Sequence, residues 1–236
     1  MSVTARPCAA VAMRARMESR AGLIVSGLIV SGLNSLMDEQ LIAAARAVKR
    51  RHRCRHPTLW LFTDRARLPD PLGAIARLPP GLSGVVLRDD AAPDRAALAA
   101  AVAKLCRRRR IALVVAGDAR LAARLHAGLH LRRGRVAPGR KPGLVTASAH
   151  GRQELVRARR AGAGLVFLSP AFPTASHPGA PALGPVRWAA LARLAGGVQV
   201  VALGGIEGRR MRALGPACRG VAAIGALSNQ CHTVWR

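Results

Sequence analysis

The fold class predicted is α/β: a single small (β/α)8 TIM barrel preceded by a non-barrel N-terminal extension. Three observations predict it. From Thr58 onward, short apolar runs rich in β-formers alternate with Ala/Leu/Arg stretches of helical period, the pattern of βα units on a parallel sheet. The apolar runs number eight, which points to a closed barrel. Hydrophobic residues make up 50% of the 236-residue chain but aromatics only 3%, so one core must be built from Ala, Val, Leu and Ile.

In chain order, residues 1–56 read as an extension. Its tandem repeat, Gly22 to Ser26 followed by Gly27 to Ser31, is too short to span a bilayer. No small-x-small site follows that would make it a signal peptide. Met37 is an alternative start, opening an amphipathic helix over about 38–50. The barrel is expected over 57–228, with 229–236 as a tail. Its strands are predicted at Leu59–Thr63, Gly84–Arg88, Ile111–Ala116, Gly128–Leu131, Gly143–Ser148, Leu165–Ser169, Gln199–Gly204 and Val221–Gly225.

The clearest helix is Asp94–Arg109, where Asp94 is placed to cap the N-terminus and Arg107 to Arg110 suit the negative end of the dipole. Gly151–Ala161 and Val186–Leu194 are also well patterned. Pro69, Pro71, Pro79 and Pro80 after the first strand, and the run Arg132 to Lys141 after the fourth, are expected to break any regular helix. An open doubly wound sheet would carry a Gly-rich turn after its first strand, where this chain has Arg65-Ala66-Arg67.

The formal net charge is +27. A basic chain raises nucleic acid as a partner, but no aromatics interleave the basic clusters, so stacking platforms are missing. The charge is almost all Arg and is read as a solvated surface attracting anionic metabolites, with neither nucleic acid nor membrane as partner. Cys8, Cys54, Cys106, Cys218 and Cys231 form no C-x-x-C pair, which argues against a zinc site or disulfide framework and for a reduced, cytoplasmic location. The oligomeric state is left open.

Barrel active sites form at the C-terminal ends of the strands, with phosphate often bound after strands seven and eight. There Val200 to Leu203 runs into Gly204-Gly205, and Ala222-Ala223-Ile224 ends in Gly225-Ala226, so main-chain N–H groups at Gly204, Gly205, Ile224 and Gly225 are candidates to hold a phosphate. Two further stretches make a resemblance specific. Ser148-Ala149-His150 looks like the Ser-x-His segment of the thiamine phosphate synthase/TenI family. Ser169-Pro170-Ala171-Phe172-Pro173-Thr174-Ala175-Ser176-His177-Pro178-Gly179, followed by Leu183-Gly184, resembles the family's G-P-x-F-x-T-x-S-K-x-G loop and its L-G. Val201 to Ile206 resembles its V-A-I-G-G-I, and the likeness covers roughly Leu59 to Ser228.

The resemblance implies a barrel of thiamine biosynthesis binding a phosphorylated thiazole. It makes Ser148, Thr174, Ser176 and His177 substrate-binding candidates. The first half departs from the synthase pattern: Val86-Leu87-Arg88-Asp89-Asp90 keeps the Arg of Q-x-R-x-K but loses the Gln and Lys. The family's N-D after the third strand falls on Ala116-Gly117, with Asp118 one position away, and a second metal-binding Asp falls near Arg135.

Such losses resemble the TenI branch, and the first expectation is a metal-free thiazole tautomerase with no cofactor. In it, His150 shuttles a proton and Arg88 clamps a carboxylate, unless Arg88 is taken up in a salt bridge to Asp64 or Asp89. The alternative is a divergent Mg2+-dependent synthase joining a pyrimidine diphosphate to the thiazole phosphate, with Asp118 as metal ligand and Arg132, Arg133 and Arg135 replacing lost cations. A third reading is a non-catalytic phosphate-binding barrel. His130 is read as packing or support.

Overall fold

The computed structural model describes residues 39–88, 94–134, 143–174, 179 and 181–227. Asp89, Arg135, Ser176, His177, the glycine-rich repeat at 22–31 and the tail at 229–236 lie outside the described residues.

Eight parallel strands pair in chain order: β1 (Leu59–Phe62), β2 (Ser83–Leu87), β3 (Ala112–Ala116), β4 (Gly128–Leu131), β5 (Val145–Ala149), β6 (Leu165–Leu168), β7 (Gln199–Leu203) and β8 (Val221–Ala223). β1 also pairs with β8, placing Leu59 beside Val221 and Trp60 beside Ala222. This closure rules out the open doubly wound sheet and establishes the (β/α)8 barrel, with β4 at the expected bounds and the other strand ends within two residues of theirs.

Side chains alternate across each strand. Trp60, Phe62, Val86, Val114, Leu165, Phe167, Val201 and Ala222 fill the interior, while Leu59, Leu61, Val85, Val115, Leu129, Val166 and Val200 belong to the separate layer under the helices. Few aromatics suffice because they are concentrated. Phe167 meets Phe62 edge-on at 4.8 Å between ring centroids and Trp60 at 5.3 Å. A β-carbon on Gly84 would sit 2.5 Å from the Trp60 ring, so glycine there makes room for the indole.

Outside the strands lie α1 (residues 39–52), α2 (Pro71–Arg77), α3 (Arg95–Arg108), α4 (Ala119–Arg124), α5 (Arg152–Arg160), α6 (Gly184–Arg193) and α7 (Gly208–Ala213). α1 lies in the same compact unit as the barrel and buries Leu41 and Ala45, and the Thr58 hydroxyl donates to Ala45 O at 2.9 Å.

Two local expectations are corrected. The proline-rich stretch after β1 does form a helix, α2. Pro71 occupies a first-turn position, where its missing N–H is not needed, and Asp70 Oδ1 accepts from Gly73 N at 2.8 Å. Conversely, Asp94 does not cap α3 with its side chain; its carboxylate pairs with Arg65 Nη1 at 2.6 Å. After β4 the described chain forms only a single 3-10 turn, Arg132–Gly134.

Candidate functional site

The inward-facing rows run out at the C-terminal mouth, and there a cavity of about 570 Å3 opens. Phe62 and His130 belong to its apolar side. Arg88, Ser148, His150, Thr174, Gly204 and Ile224 line it too, drawn from the ends of β2, β5, β6, β7 and β8. Gly205 and Gly225 are not lining residues.

His150 follows β5 directly. Its backbone N–H donates to Glu154 Oε2 at 2.8 Å in the first turn of α5, which fixes the chain where it leaves the strand. The ring nitrogen Nδ1 lies 2.9 Å from Ser169 O and 3.3 Å from Ser169 Oγ. A carbonyl can only accept, so Nδ1 carries the proton in neutral imidazole and Nε2 keeps the lone pair. Ser169 itself lines the cavity and is buried. The Ser148 hydroxyl oxygen accepts from Arg133 N at 3.2 Å.

His130 has the opposite surroundings. It is buried between Phe62 and Phe167, with Nδ1 2.9 Å from Thr146 Oγ1. Burial, aided by the positive charge of Arg88, pushes its pKa down to about 3. It stays neutral at ordinary pH, a packing and hydrogen-bonding residue.

Arg88 does not stand alone. Its Nη2 meets Asp64 Oδ2 at 3.1 Å, and Arg67 Nη2 meets the same oxygen at 2.5 Å. Burial raises the Asp64 carboxyl, but the hydrogen bond from Arg67 and the charges of Arg67 and Arg88 outweigh it and hold the pKa below its ordinary value. Arg67, Arg132 and Arg133 join Arg88 along the cavity wall.

The glycines after β7 have a reason besides ligand approach. Gly204 and Gly205 have φ of +91° and +63°, and a β-carbon on Gly205 would sit 2.4 Å from Pro173 O. Gly204 O accepts from Phe172 N at 3.0 Å, so the β6–α6 loop is seated on the end of β7. That seating brings Thr174 to the cavity. Gly225 begins a three-residue 3-10 turn, Gly225–Leu227, next to Ile224.

Sequence reasoning missed Arg67 and Ser169. Ser169 stands where the resembled loop has Gly, a visible departure; nothing in the order Arg65-Ala66-Arg67 distinguishes the residue that turns inward.

Fold and cavity together define a (β/α)8-barrel protein with its candidate site at the C-terminal mouth and a basic wall. The chain belongs to the thiamine monophosphate synthase family, whose model matches residues 62–227, and this ties it to thiamine biosynthesis. Among solved structures it is similar to thiamine phosphate pyrophosphorylase from Pyrococcus furiosus, with 23% identity over 71% of this chain and 85% of that one and a TM-score of 0.60. The enzyme of that name from Bacteroides thetaiotaomicron gives 19% identity, coverage of 77% and 89%, and a TM-score of 0.52. FabK from Thermotoga maritima gives 16% identity, coverage of 77% and 61%, and a TM-score of 0.56. At these identities the likeness is one of fold. No curated protein matches the chain.

Synthases of this family depend on Mg2+, a hard cation that takes carboxylate oxygens. The described residues do not fit one. Asp118 Oδ1 accepts from Leu121 N at 2.8 Å as the cap of α4, and Oδ2 faces Arg95 Nη1 at 3.5 Å. Asp64 is held by two arginines, and no group of three or more His, Cys, Asp or Glu among the described residues is placed to hold a metal ion. No described helix is long and apolar enough to cross a membrane.

Proposed function

We propose that this barrel binds a thiazole phosphate at its C-terminal mouth and acts as a metal-free thiazole tautomerase. The observation that carries the reading is His150: its Nδ1 is tied to Ser169 O at 2.9 Å, which leaves Nε2 as the base, and it shares one cavity with Gly204, Ile224 and Arg88. In the reaction Nε2 takes a proton from the ligand, becomes imidazolium, and returns it at another ligand atom, so the composition of the ligand is unchanged. Main-chain groups around Gly204 and Ile224 hold the phosphate, and Arg88, whose Nη2 is engaged by Asp64, meets the carboxylate with its remaining guanidinium N–H groups. Ser148 and Thr174 add hydroxyl hydrogen bonds.

Purified protein in the presence of a chelator is expected to accelerate aromatisation of the thiazole phosphate carboxylate. His150→Asn should lower that rate by roughly 100-fold or more, the usual range for a proton-transferring group, with ligand affinity nearly unchanged. An undiminished rate removes His150 from the mechanism.

A second reading, synthesis from a pyrimidine diphosphate and a thiazole phosphate, is favoured by one observation: Arg132 and Arg133 line the cavity, a wall suited to a diphosphate. Product formation that a chelator abolishes would support it over the tautomerase. A blank in both assays with retained thiazole phosphate binding would support a non-catalytic barrel.

A further inference from the structure

The described carboxylates share one end of the barrel. Glu39 opens α1 and Asp64 follows β1. Asp70, Asp94, Asp118 and Glu207 stand at the starts of α2, α3, α4 and α7, and Glu154 lies in the first turn of α5. Helices of this fold run back against the strands, so helix starts and strand ends share the rim of the ligand mouth. A β-carbon on Gly208 would sit 2.7 Å from Gln40 Cβ, which puts the start of α1 on that rim too. The opposite rim, where strands begin and helices end, holds no carboxylate side chain among the described residues.

Basic residues on this second rim are of two kinds. Some serve helix ends: Arg107 Nη1 donates to Leu125 O at 3.3 Å and Arg159 Nη1 to Leu194 O at 3.0 Å. Arg53, Arg55, Arg110 and Arg219 differ. They lie outside the helices, in the segments that enter β1, β3 and β8, and are exposed. Among the described residues their side chains have no hydrogen-bond or ion-pair partner. Main-chain ties hold them on one arc: Gln199 Nε2 donates to Pro57 O at 2.9 Å and to Arg219 O at 3.0 Å, and Gly81 N donates to Arg110 O at 3.1 Å. Neighbouring imidazoles feel the charge. Burial lowers the pKa of His52, and Arg219 and Arg51 lower it further; for His56 the causes are burial, then Arg55 and Lys49.

We infer that this strand-entry rim is a docking face for a nucleic-acid duplex, gripped through its phosphates without reading sequence. Guanidinium forks match pairs of phosphate oxygens, and no described acid on the rim repels them. The shortage of aromatics disfavours stacking of unpaired bases, but phosphate contacts need no aromatic, so for this face the expectation of no nucleic-acid partner is set aside. An anionic bilayer fits less well, because an interfacial anchor needs an apolar face. Of the exposed large hydrophobics, Leu72 and Val186 lie in first turns, and Leu194 alone ends a helix on this rim. The face lies opposite His150, and the inference does not depend on the reaction at the mouth.

Fluorescence anisotropy of short mixed-sequence DNA and RNA duplexes, titrated with the full chain between about 50 and 200 mM salt, tests this. At least one duplex should bind whatever its sequence, with log affinity falling against log salt at a slope of about −3 or steeper, as for three or more phosphates. Arg53→Asn, Arg55→Gln and Arg219→Gln together should weaken binding about ten-fold or more and flatten the slope by about one per arginine. Asn suits the positive φ of 47° at position 53, and circular dichroism checks the fold. The single changes Arg55→Gln and Arg219→Gln should each give a smaller loss in the same direction.

Arg120→Gln, Arg152→Gln and Arg209→Gln together remove the same charge from exposed first turns of α4, α5 and α7 at the mouth rim, and should leave affinity and slope nearly unchanged. Equal losses in the two triple variants would show attraction to net charge alone and overturn the inference. So would the absence of duplex binding at the lower salt. Tighter binding, per unit charge, of poly-glutamate or of phosphatidylglycerol vesicles would also overturn it, pointing to an acidic protein or a membrane instead.

Discussion

His150 and His130 share one cavity and differ in what surrounds their rings. His150 is exposed at the mouth, and a carbonyl fixes which nitrogen carries its proton. His130 is buried against Phe62 and Phe167, and its folded pKa is depressed to about 3 from 6.5. A depressed histidine stabilises the fold fully above the unfolded value, and that contribution drains away as pH falls through the folded one. Melting temperature should therefore decline from about pH 6.5 towards pH 3, the window set by those two values. In His130→Gln the decline over this window should be shallower, whatever the variant's stability at neutral pH. An unchanged slope, followed by circular dichroism, would assign the acid sensitivity to other groups. At this scale the Ser-x-His and Gly-Gly stretches were legible because their residues follow strand ends directly. Arg67 was not, because the destination of a long side chain depends on how its loop folds.

The β6–α6 loop is held by the end of β7, and this interlock is the element on which Thr174 depends. Gly205→Ala would push a methyl against Pro173 O, 2.4 Å away, at a φ of +63° that disfavours a side chain. The expected cost is about 1–3 kcal/mol in urea unfolding, together with weaker ligand binding as the loop shifts. Gly197→Ala, where a β-carbon would meet nothing within 4 Å, should be close to neutral. The eight strands were readable from apolar runs bounded by turn residues, because the barrel buries both of their faces. Helix starts were harder to read. Asp70 and Asp94 both precede a helix, yet Arg65 draws one away from capping, and that partner is 29 residues distant in sequence. Whether proline ends or begins a helix likewise turned on its position in the first turn of α2.

At the scale of the whole barrel, the interior holds one ring cluster in which Trp60, Phe62 and His130 all meet Phe167. Truncation by Phe167→Ala removes edge-to-face contacts with Trp60 and Phe62 and a tilted contact with His130. A loss of about 3–5 kcal/mol is expected, measured as a lower urea midpoint, as for other buried aromatics cut to Ala. A loss below about 1 kcal/mol would mean that the eight strands collapse around the gap. Closure by β1–β8 pairing was legible only as a count of apolar runs, because no local signal marks which first and last strands will meet.

The buried indole of Trp60 also has an optical consequence. The chain contains no tyrosine, so its near-ultraviolet emission is that of tryptophan alone. Trp60 and Trp188 are fully enclosed, and Trp235 lies outside the described residues. In a Trp235→Phe background the remaining emitters would both be shielded from water, one inside the ring of strands and one on the buried face of α6. Their spectrum should shift to longer wavelength as the cylinder opens, giving a label-free signal of unfolding.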